Sequence, residues 1–282
     1  MVPPEIDTVI SNSNMELVDG IWYSKSQTRV SYPEEGNSLS YQLEENSWWF
    51  RNRNKLIVEL VHKYSSGKLF WDIGGGNGFV SKGLQNSGQQ VVLVEPGPEG
   101  AVNARKRDIQ HVICATLEQA GIAPNSIEAA GLFDVVEHIE DDISFLKSIA
   151  ASMVKGGIVY VTVPAYRFLW SKDDDYARHY RRYTLKSLRK ALCDAGFEPV
   201  RQTYFYSVLI FPIFIARTLS QRIKNQKPED VGTIEKAQSE HVSSGILNSI
   251  MDGLWALERG LIGWGIRIPF GASCLVAYRK KD

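Results

Sequence analysis

The chain has 282 residues, 44% of them apolar, which suits one α/β core with additions and is short for two generous domains. Lysine plus arginine equals aspartate plus glutamate, 32 each, so overall charge gives no sign of a nucleic-acid partner or a strongly acidic substrate. Cys114, Cys193 and Cys274 lie far apart with no CxxC pair, which argues against a disulfide scaffold or a zinc site; no metal is expected, and a reducing, cytoplasmic setting fits.

Residues 1–40 are polar, rich in Ser, Asn, Pro and Glu, and read as an N-terminal arm. They lack a basic stretch followed by an apolar run, so no signal peptide is expected. Within the arm, 21–23 and 28–32 suit the two short strands of a hairpin. Residues 41–64 form a helical pattern with Leu56, Ile57, Leu60 and Val61 at helical spacing, ended by Ser65-Ser66-Gly67. Strands and helices then alternate. Strands are expected at 69–73, 91–95, 111–115, 127–133, 158–163, 198–204 and 273–279. Helices are expected at 79–86, 100–107, 135–153 and 185–195, the last with Thr184 as N-cap and Gly196 as stop. Strands separated by single helices imply a parallel, doubly wound sheet.

The stretch 205–270 breaks this rhythm. It holds an apolar helix candidate at 204–219, a polar linker at 224–238 and a second helix candidate at 246–262. The 204–219 run contains Ser207, Pro212 and Arg217 and falls short of the roughly 18 apolar residues of a membrane span. The expected organisation is therefore an arm (1–40), an α/β core (41–204 and 271–282) and a helical insertion (205–270). The two helix candidates suit packing on each other and on the sheet; a wall for an apolar acceptor, or contact with a membrane surface, is the alternative.

The chemistry-bearing signal is Asp72-Ile73-Gly74-Gly75-Gly76-Asn77-Gly78, between a strand and a helix. Glycines let backbone turn sharply and approach a ligand, and a helix start offers free N–H groups. A tight turn would use the same residues. Glu95 ends the next strand, 17 residues after Gly78, where a carboxylate can accept hydrogen bonds from both ribose hydroxyls of an adenosine ligand. A dinucleotide site spaces its glycines G-x-G-x-x-G for a pyrophosphate. Here the spacing is G-x-G-x-G with an acid two residues upstream, which would repel a pyrophosphate and suits a cationic amino-acid moiety.

These segments, together with Gly131-Leu132-Phe133-Asp134-Val135-Val136-Glu137-His138-Ile139-Glu140-Asp141, resemble the successive motifs of class I S-adenosylmethionine-dependent methyltransferases. The resemblance covers about 41–203 plus the last strand. It implies a Rossmann-like sheet of seven strands, mostly parallel with the last antiparallel, and S-adenosyl-L-methionine as cofactor. It also implies that Asp72, Gly74 and Gly76 line the methionine moiety and that Asn77, Gly78 and Pro96 belong to the same site. Glu95 would hold the ribose, the Phe133 carbonyl and Asp134 would lie by the cofactor's ammonium, and Thr116 and Leu117 would flank the adenine. Many family members carry an acid near 115, where this chain reads Cys114-Ala115-Thr116. A narrower resemblance is to a bacterial subgroup with Trp-Trp-Phe-Arg before the glycine loop (48–51) and Val-Pro-Ala-Tyr (163–166) and His-Tyr-Arg-Arg-Tyr-Thr (179–184) after the fifth strand.

Each feature has a plainer reading. Trp48, Trp49 and Phe50 suit ordinary core packing, or a lid over the cofactor in which Arg51 or Arg53 pairs with its carboxylate. His138 and His179 suit packing, or a general base at the mouth of the sheet. Arg178, Arg181 and Arg182 beside Asp173, Asp174 and Asp175 suit loop-ordering ion pairs, or an anion grip on an acceptor. The function expected is methyl transfer to a small molecule or a sugar- or lipid-linked intermediate. Its rivals are an NAD-dependent oxidoreductase, disfavoured by the glycine spacing, and a non-catalytic cofactor-binding or membrane-associated partner protein.

Overall fold

A computed structural model of the chain describes residues 14–25, 41, 43–45, 47–65, 67–208 and 245–281. In chain order these give β1 (Met15–Val18), β2 (Ile21–Ser24), α1 (Trp48–Ser65), β3 (Phe70–Ile73), α2 (Phe79–Asn86), β4 (Val91–Val94), α3 (Pro98–Lys106), β5 (His111–Cys114) and β6 (Ile127–Phe133). Then follow α4 (Asp142–Ser152), β7 (Met153–Pro164), α5 (Lys172–Tyr176), α6 (Leu185–Asp194), β8 (Phe197–Phe205), α7 (Gly245–Gly263) and β9 (Ser273–Lys280). All described strands join one sheet in the order β1-β2-β5-β4-β3-β6-β7-β9-β8. From β2 to β7 the pairings are parallel, and β9 runs antiparallel to both its neighbours, β7 and β8.

The central strands are short and apolar because helices cover both faces. Every residue of β3 and of β4 is buried. Alternate side chains divide between the two faces, as the period of a strand requires. Trp71, Ile73, Val92 and Val94 face a core that includes Leu146 and Ile149 of α4 and Leu188 and Leu192 of α6. Phe70 and Val91 face another, built from Leu56, Ile57, Leu60 and Val61 of α1, Leu84 of α2 and Trp255 and Ile262 of α7.

The expected seven-stranded sheet is present, with two strands added at one edge. Ile21–Ser24 does form a hairpin strand, but its partner is Met15–Val18 across an Asp19-Gly20 turn; the expected partner, 28–32, lies outside the described residues. Both turn residues have positive φ, 49° and 79°, the geometry that favours Asp-Gly in tight hairpins. The helix expected over 135–153 is divided. Residues Val136–His138 make one 3-10 turn, Asp141 caps α4 by accepting from the Ser144 amide at 3.0 Å, and β7 already begins at Met153. Gly156 and Gly157 thus sit inside a strand, at an irregularity between β6 and β7, where a Cβ on Gly157 would meet three backbone carbonyl oxygens at 2.9–3.1 Å. The helix expected from 41 has Trp48 as the start of its continuous part.

Of the insertion, 205–208 and 245–270 are described; most of the 204–219 helix candidate and the whole polar linker lie outside. The second candidate forms α7, which packs on α1. Trp255 stacks on Trp48 at 5.8 Å and meets Tyr206 edge-on at 4.4 Å. Asn52 donates to Asp252 at 2.9 Å, and Arg259 pairs with Glu59 at 2.9 Å. Arg201 of β8 donates to the carbonyls of Ile262 and Gly265, capping the end of α7 with a cation. Among the described residues no helix is long and apolar enough to cross a membrane.

Glu258 carries the tightest link between α7 and the sheet. Its buried carboxylate accepts from the amides of Tyr206 at 2.6 Å and Ser207 at 2.9 Å, where the chain leaves β8. Glu258→Ala leaves at least one buried donor without a partner. Urea denaturation of this variant will show a loss of about 1–3 kcal/mol, and Glu258→Gln will lose less.

Candidate active site

Strand order reverses between β3 and β6, and at such a switch point the carboxyl ends of parallel strands open onto a crevice. A cavity of about 410 Å³ lies there. Its lining includes Asp72, Gly74, Gly76, Asn77, Glu95, Pro96, Phe133, Asp134, His138 and His179, ten of the fourteen residues singled out from sequence.

The glycine loop is tied to the strand beside it by the Gly74 amide, which donates to the Val94 carbonyl at 2.7 Å. Gly76 has φ 52°, and a Cβ built on it meets nothing within 4 Å, so its side-chain position is open space at the cavity. Glu95 receives the Gly76 amide at 2.9 Å and the Gly97 amide at 2.7 Å. Burial pushes its carboxyl up to about 7 against the lowering effect of those two bonds. Asp72, at the end of β3, accepts from Ser81 at 2.6 Å, and burial raises it to about 6.

Arg53 of α1 reaches over this end of the sheet. Its Nη2 pairs with Asp134 at 2.7 Å and donates to the Thr162 hydroxyl at 3.2 Å, and Thr162 donates in turn to Asp134 at 2.9 Å. Arg51 is absent from the lining; its guanidinium donates to the Glu45 carbonyl on the exposed side of α1. One step along a helix turns a side chain by about 100°, so Arg51 and Arg53 point to different sides. Gly78, Thr116 and Leu117 also lie off the lining. Gly78 is the left-handed N-cap of α2 and packs on Ala104, Thr116 closes a local turn with Gln119, and Leu117 packs on the core.

The turn after β6 and the loop around α5 also line the cavity. Asp174 accepts the two-pronged guanidinium of Arg182 at 2.7 and 2.9 Å and contacts His179 Nδ1 at 2.8 Å. Burial would raise Asp174, but the His179 and Arg182 bonds outweigh it and hold the carboxyl far below the usual range. Arg181 pairs with Asp142 at 3.0 Å. Arg182 therefore orders its loop through Asp174, as the plainer reading held, whereas Arg181 goes to Asp142, outside the expected acidic run. The His138 and His179 rings meet edge-on at 4.6 Å. Burial and the neighbouring His179 lower His138 to about 4.

Sequence reasoning missed several lining residues. Glu44 is brought in by Arg107, which pairs with it, donates to the Tyr41 and Asn77 carbonyls at 3.0 Å and lies 4.2 Å over the Tyr41 ring. Nothing in local sequence links Arg107 to a segment more than sixty residues away. Glu137 is buried, with neither carboxylate oxygen hydrogen-bonded among the described residues, and burial raises it well above the carboxylate norm. Its signal was legible, since it stands beside His138 in a motif already singled out.

A parallel sheet with an antiparallel β9, a glycine loop and a strand-end acid at the switch point is the architecture of class I S-adenosylmethionine-dependent methyltransferases. A family model described as "Methyltransferase domain" matches residues 49–202, more than half of the chain, and the chain belongs to that family. It is 31% identical over 100 residues to a ubiquinone biosynthesis O-methyltransferase of Vibrio parahaemolyticus, covering 33% of this chain and 43% of that one. It is 24% identical over 173 residues to a protein of Mycolicibacterium smegmatis named as a "Probable S-adenosylmethionine-dependent methyltransferase", covering 59% of this chain and 65% of that one. The matches thus span less than two thirds of these relatives. Among solved structures, a Haemonchus contortus phosphoethanolamine N-methyltransferase 2, in complex with phosphomonomethylethanolamine and S-adenosylhomocysteine, shares the fold with a TM-score of 0.55. It is 17% identical, with coverage of 90% of this chain and 59% of that one.

Glu95 gives a test in the ligand-free protein. Between about pH 4.5 and 7 it is protonated when folded and ionised when unfolded. The folded state then binds more protons, so this group's contribution to stability is full at low pH and falls as pH rises through the window, by up to about 1.4 kcal/mol per pH unit. Denaturation from pH 4 to 8 will show that slope in the wild type and a shallower one in Glu95→Gln.

Proposed function

We propose that the protein transfers the methyl group of S-adenosylmethionine to a small molecule or a sugar- or lipid-linked intermediate. The observation that carries this reading is one cavity lined by Asp72, Gly76 and Glu95 and also by His138 and His179. When bound, the cofactor supplies an electrophilic methyl group on a sulfonium.

Glu95 keeps acceptor capacity beyond its two amide bonds and serves the ribose hydroxyls. Asp72 and Asp134 put negative charge where the cofactor's ammonium belongs, and Arg53, rather than Arg51, serves its carboxylate. Phe133 and Asn77 complete that wall, and Pro96 adjoins Glu95. Adenine falls toward the Pro96 side, with Thr116 and Leu117 behind the wall. The segments that resemble the bacterial subgroup contribute Trp49, Phe50, Pro164 and His179 to the cavity, which supports that finer likeness.

Methyl transfer depends mainly on holding acceptor and methyl in line and close. A rigid wall around the cofactor serves that need. A hydroxyl acceptor must also lose a proton. His179, its Nδ1 held by Asp174, is the group for that step, and His138 beside it, lowered to about 4, is the poorer base. None of the described residues of 205–270 lines the cavity, and α7 packs on α1. Contact with a membrane surface is the alternative use of that insertion.

Gly76→Val will abolish S-adenosylmethionine binding in calorimetry while thermal unfolding stays cooperative, because two methyls fill the open position. Unchanged affinity sinks the site. Labelled S-adenosylmethionine and a cell extract will give a labelled product with wild type and none with this variant. His179→Ala will lower kcat by roughly 10²–10⁴ with cofactor affinity intact, and His138→Ala will lower it less. If both turn over normally, proton removal lies elsewhere.

A further inference from the structure

Glu137 is used by nothing described so far. It is buried, lines the cavity, and neither carboxylate oxygen has a hydrogen-bond partner among the described residues. An uncompensated buried carboxylate is among the least favourable arrangements a fold can hold, and such groups take up a proton, pair, or bind a cation. His138 and His179 stand next to it. One ligand-capable atom from each of Glu137, His138 and His179 lies within 4.8 Å of the others.

We propose that Glu137, His138 and His179 bind one divalent transition-metal cation at the acceptor end of the cavity. Two imidazoles and one carboxylate form a donor set suited to zinc, iron, cobalt or manganese; calcium and magnesium prefer all-oxygen surroundings. Bonds of about 2.0–2.1 Å in a tetrahedral site place ligand atoms roughly 3.4 Å apart, so small side-chain rotations close the site. His179 already has the outer partner that metal-bound histidines use. Asp174 holds its Nδ1 and is itself fixed by Arg182, which leaves Nε2 for a cation. All three side chains border the cavity, so the remaining coordination positions open onto the space assigned to the acceptor. The absence of cysteine pairs had argued against zinc, but a carboxylate–imidazole site needs no thiolate.

The consequence for substrate class rests on the methyltransferase reading; metal binding does not. A cation there favours an acceptor hydroxyl, best with a second oxygen nearby, because coordination eases its ionisation. With the cation bound, His138 and His179 are ligands and no longer bases, so the O–H bond breaks with its proton passing to solvent. The oxygen then forms a bond to the methyl carbon as the sulfonium C–S bond breaks, and S-adenosylhomocysteine leaves.

The test uses the whole chain. After treatment with a chelator, elemental analysis confirms removal, and zinc, cobalt, manganese and magnesium chlorides are titrated by calorimetry without cofactor. One zinc per chain is expected, with magnesium far weaker. The cobalt form should show the visible absorption of nitrogen and oxygen ligation. Glu137→Gln and His179→Ala should each weaken zinc binding more than tenfold, and Asp174→Asn should weaken it by about 10–100-fold through His179. S-adenosylmethionine affinity should stay as in the wild type in every folded variant. Absence of stoichiometric binding to the wild type overturns the proposal, and so does binding that Glu137→Gln and His179→Ala leave unchanged. If Glu137→Gln does not fold, the cobalt spectrum of wild type against His179→Ala decides. Metal binding without methyl transfer leaves the site standing and removes the functional reading instead.

Discussion

Three carboxylates, the buried Asp72 and Glu95 and the exposed Asp134, converge at the carboxyl end of the central strands, and holding them together there is the constraint that organises the molecule. Asp72 is buried and held by Ser81, Glu95 by two loop amides, and Asp134 by Arg53 and Thr162. Each solution recruits a different element: the first turn of α2, the glycine loop, and α1 with β7. Arg53 matters most among these, because it draws α1 across the crevice and so fixes where Trp49 and Phe50 stand. Removing it would leave Asp134 facing the other acids with a single hydroxyl.

The covering layer follows from α1. Its Trp48 and Asn52 are the anchors for α7, and the Arg107 contacts fasten residues 41, 44 and 45 to the loop after β3 and to α3. The aromatic triplet therefore serves both readings that the sequence left open. Trp48 is packing between α1 and α7, and Trp49 and Phe50 border the cavity. The insertion thus joins the core through a shared helix, with Glu258 tying α7 to the residues just after β8 and Arg201 of β8 holding the carboxyl end of α7.

The fold was legible because parallel strands buried on both faces write themselves as short apolar runs, and glycine and proline mark their ends. Errors came where spacing along the chain and distance in space part company. The helix after β6 was drawn too long, since Ile139 is extended and Asp141, three residues before Ser144, ends the irregular turn as a cap. The hairpin partner was misplaced although Asp19-Gly20 was a readable turn signal. Among site residues, those on the glycine loop and at strand ends could be placed from the strand period. The choice between Arg51 and Arg53 depended on how α1 is rotated, which only its packing decides. Glu44 and the Asp174–His179 pairing depend on tertiary contacts.

The hairpin β1–β2 has a further effect on how the sheet ends. It covers β5, whose backbone would otherwise stand open along a buried, apolar strand, and substitutes β1, four residues long, with the exposed Glu16 and a tight turn at its end. At the far margin β8 is interrupted by an irregular register beside Pro199, which has no amide to donate. Both margins of the described sheet are thereby short or broken as templates for recruiting another strand. Their design bears on colloidal behaviour: a chain with a net charge of zero has little electrostatic repulsion to keep copies apart, and blunted edges supply a safeguard of another kind.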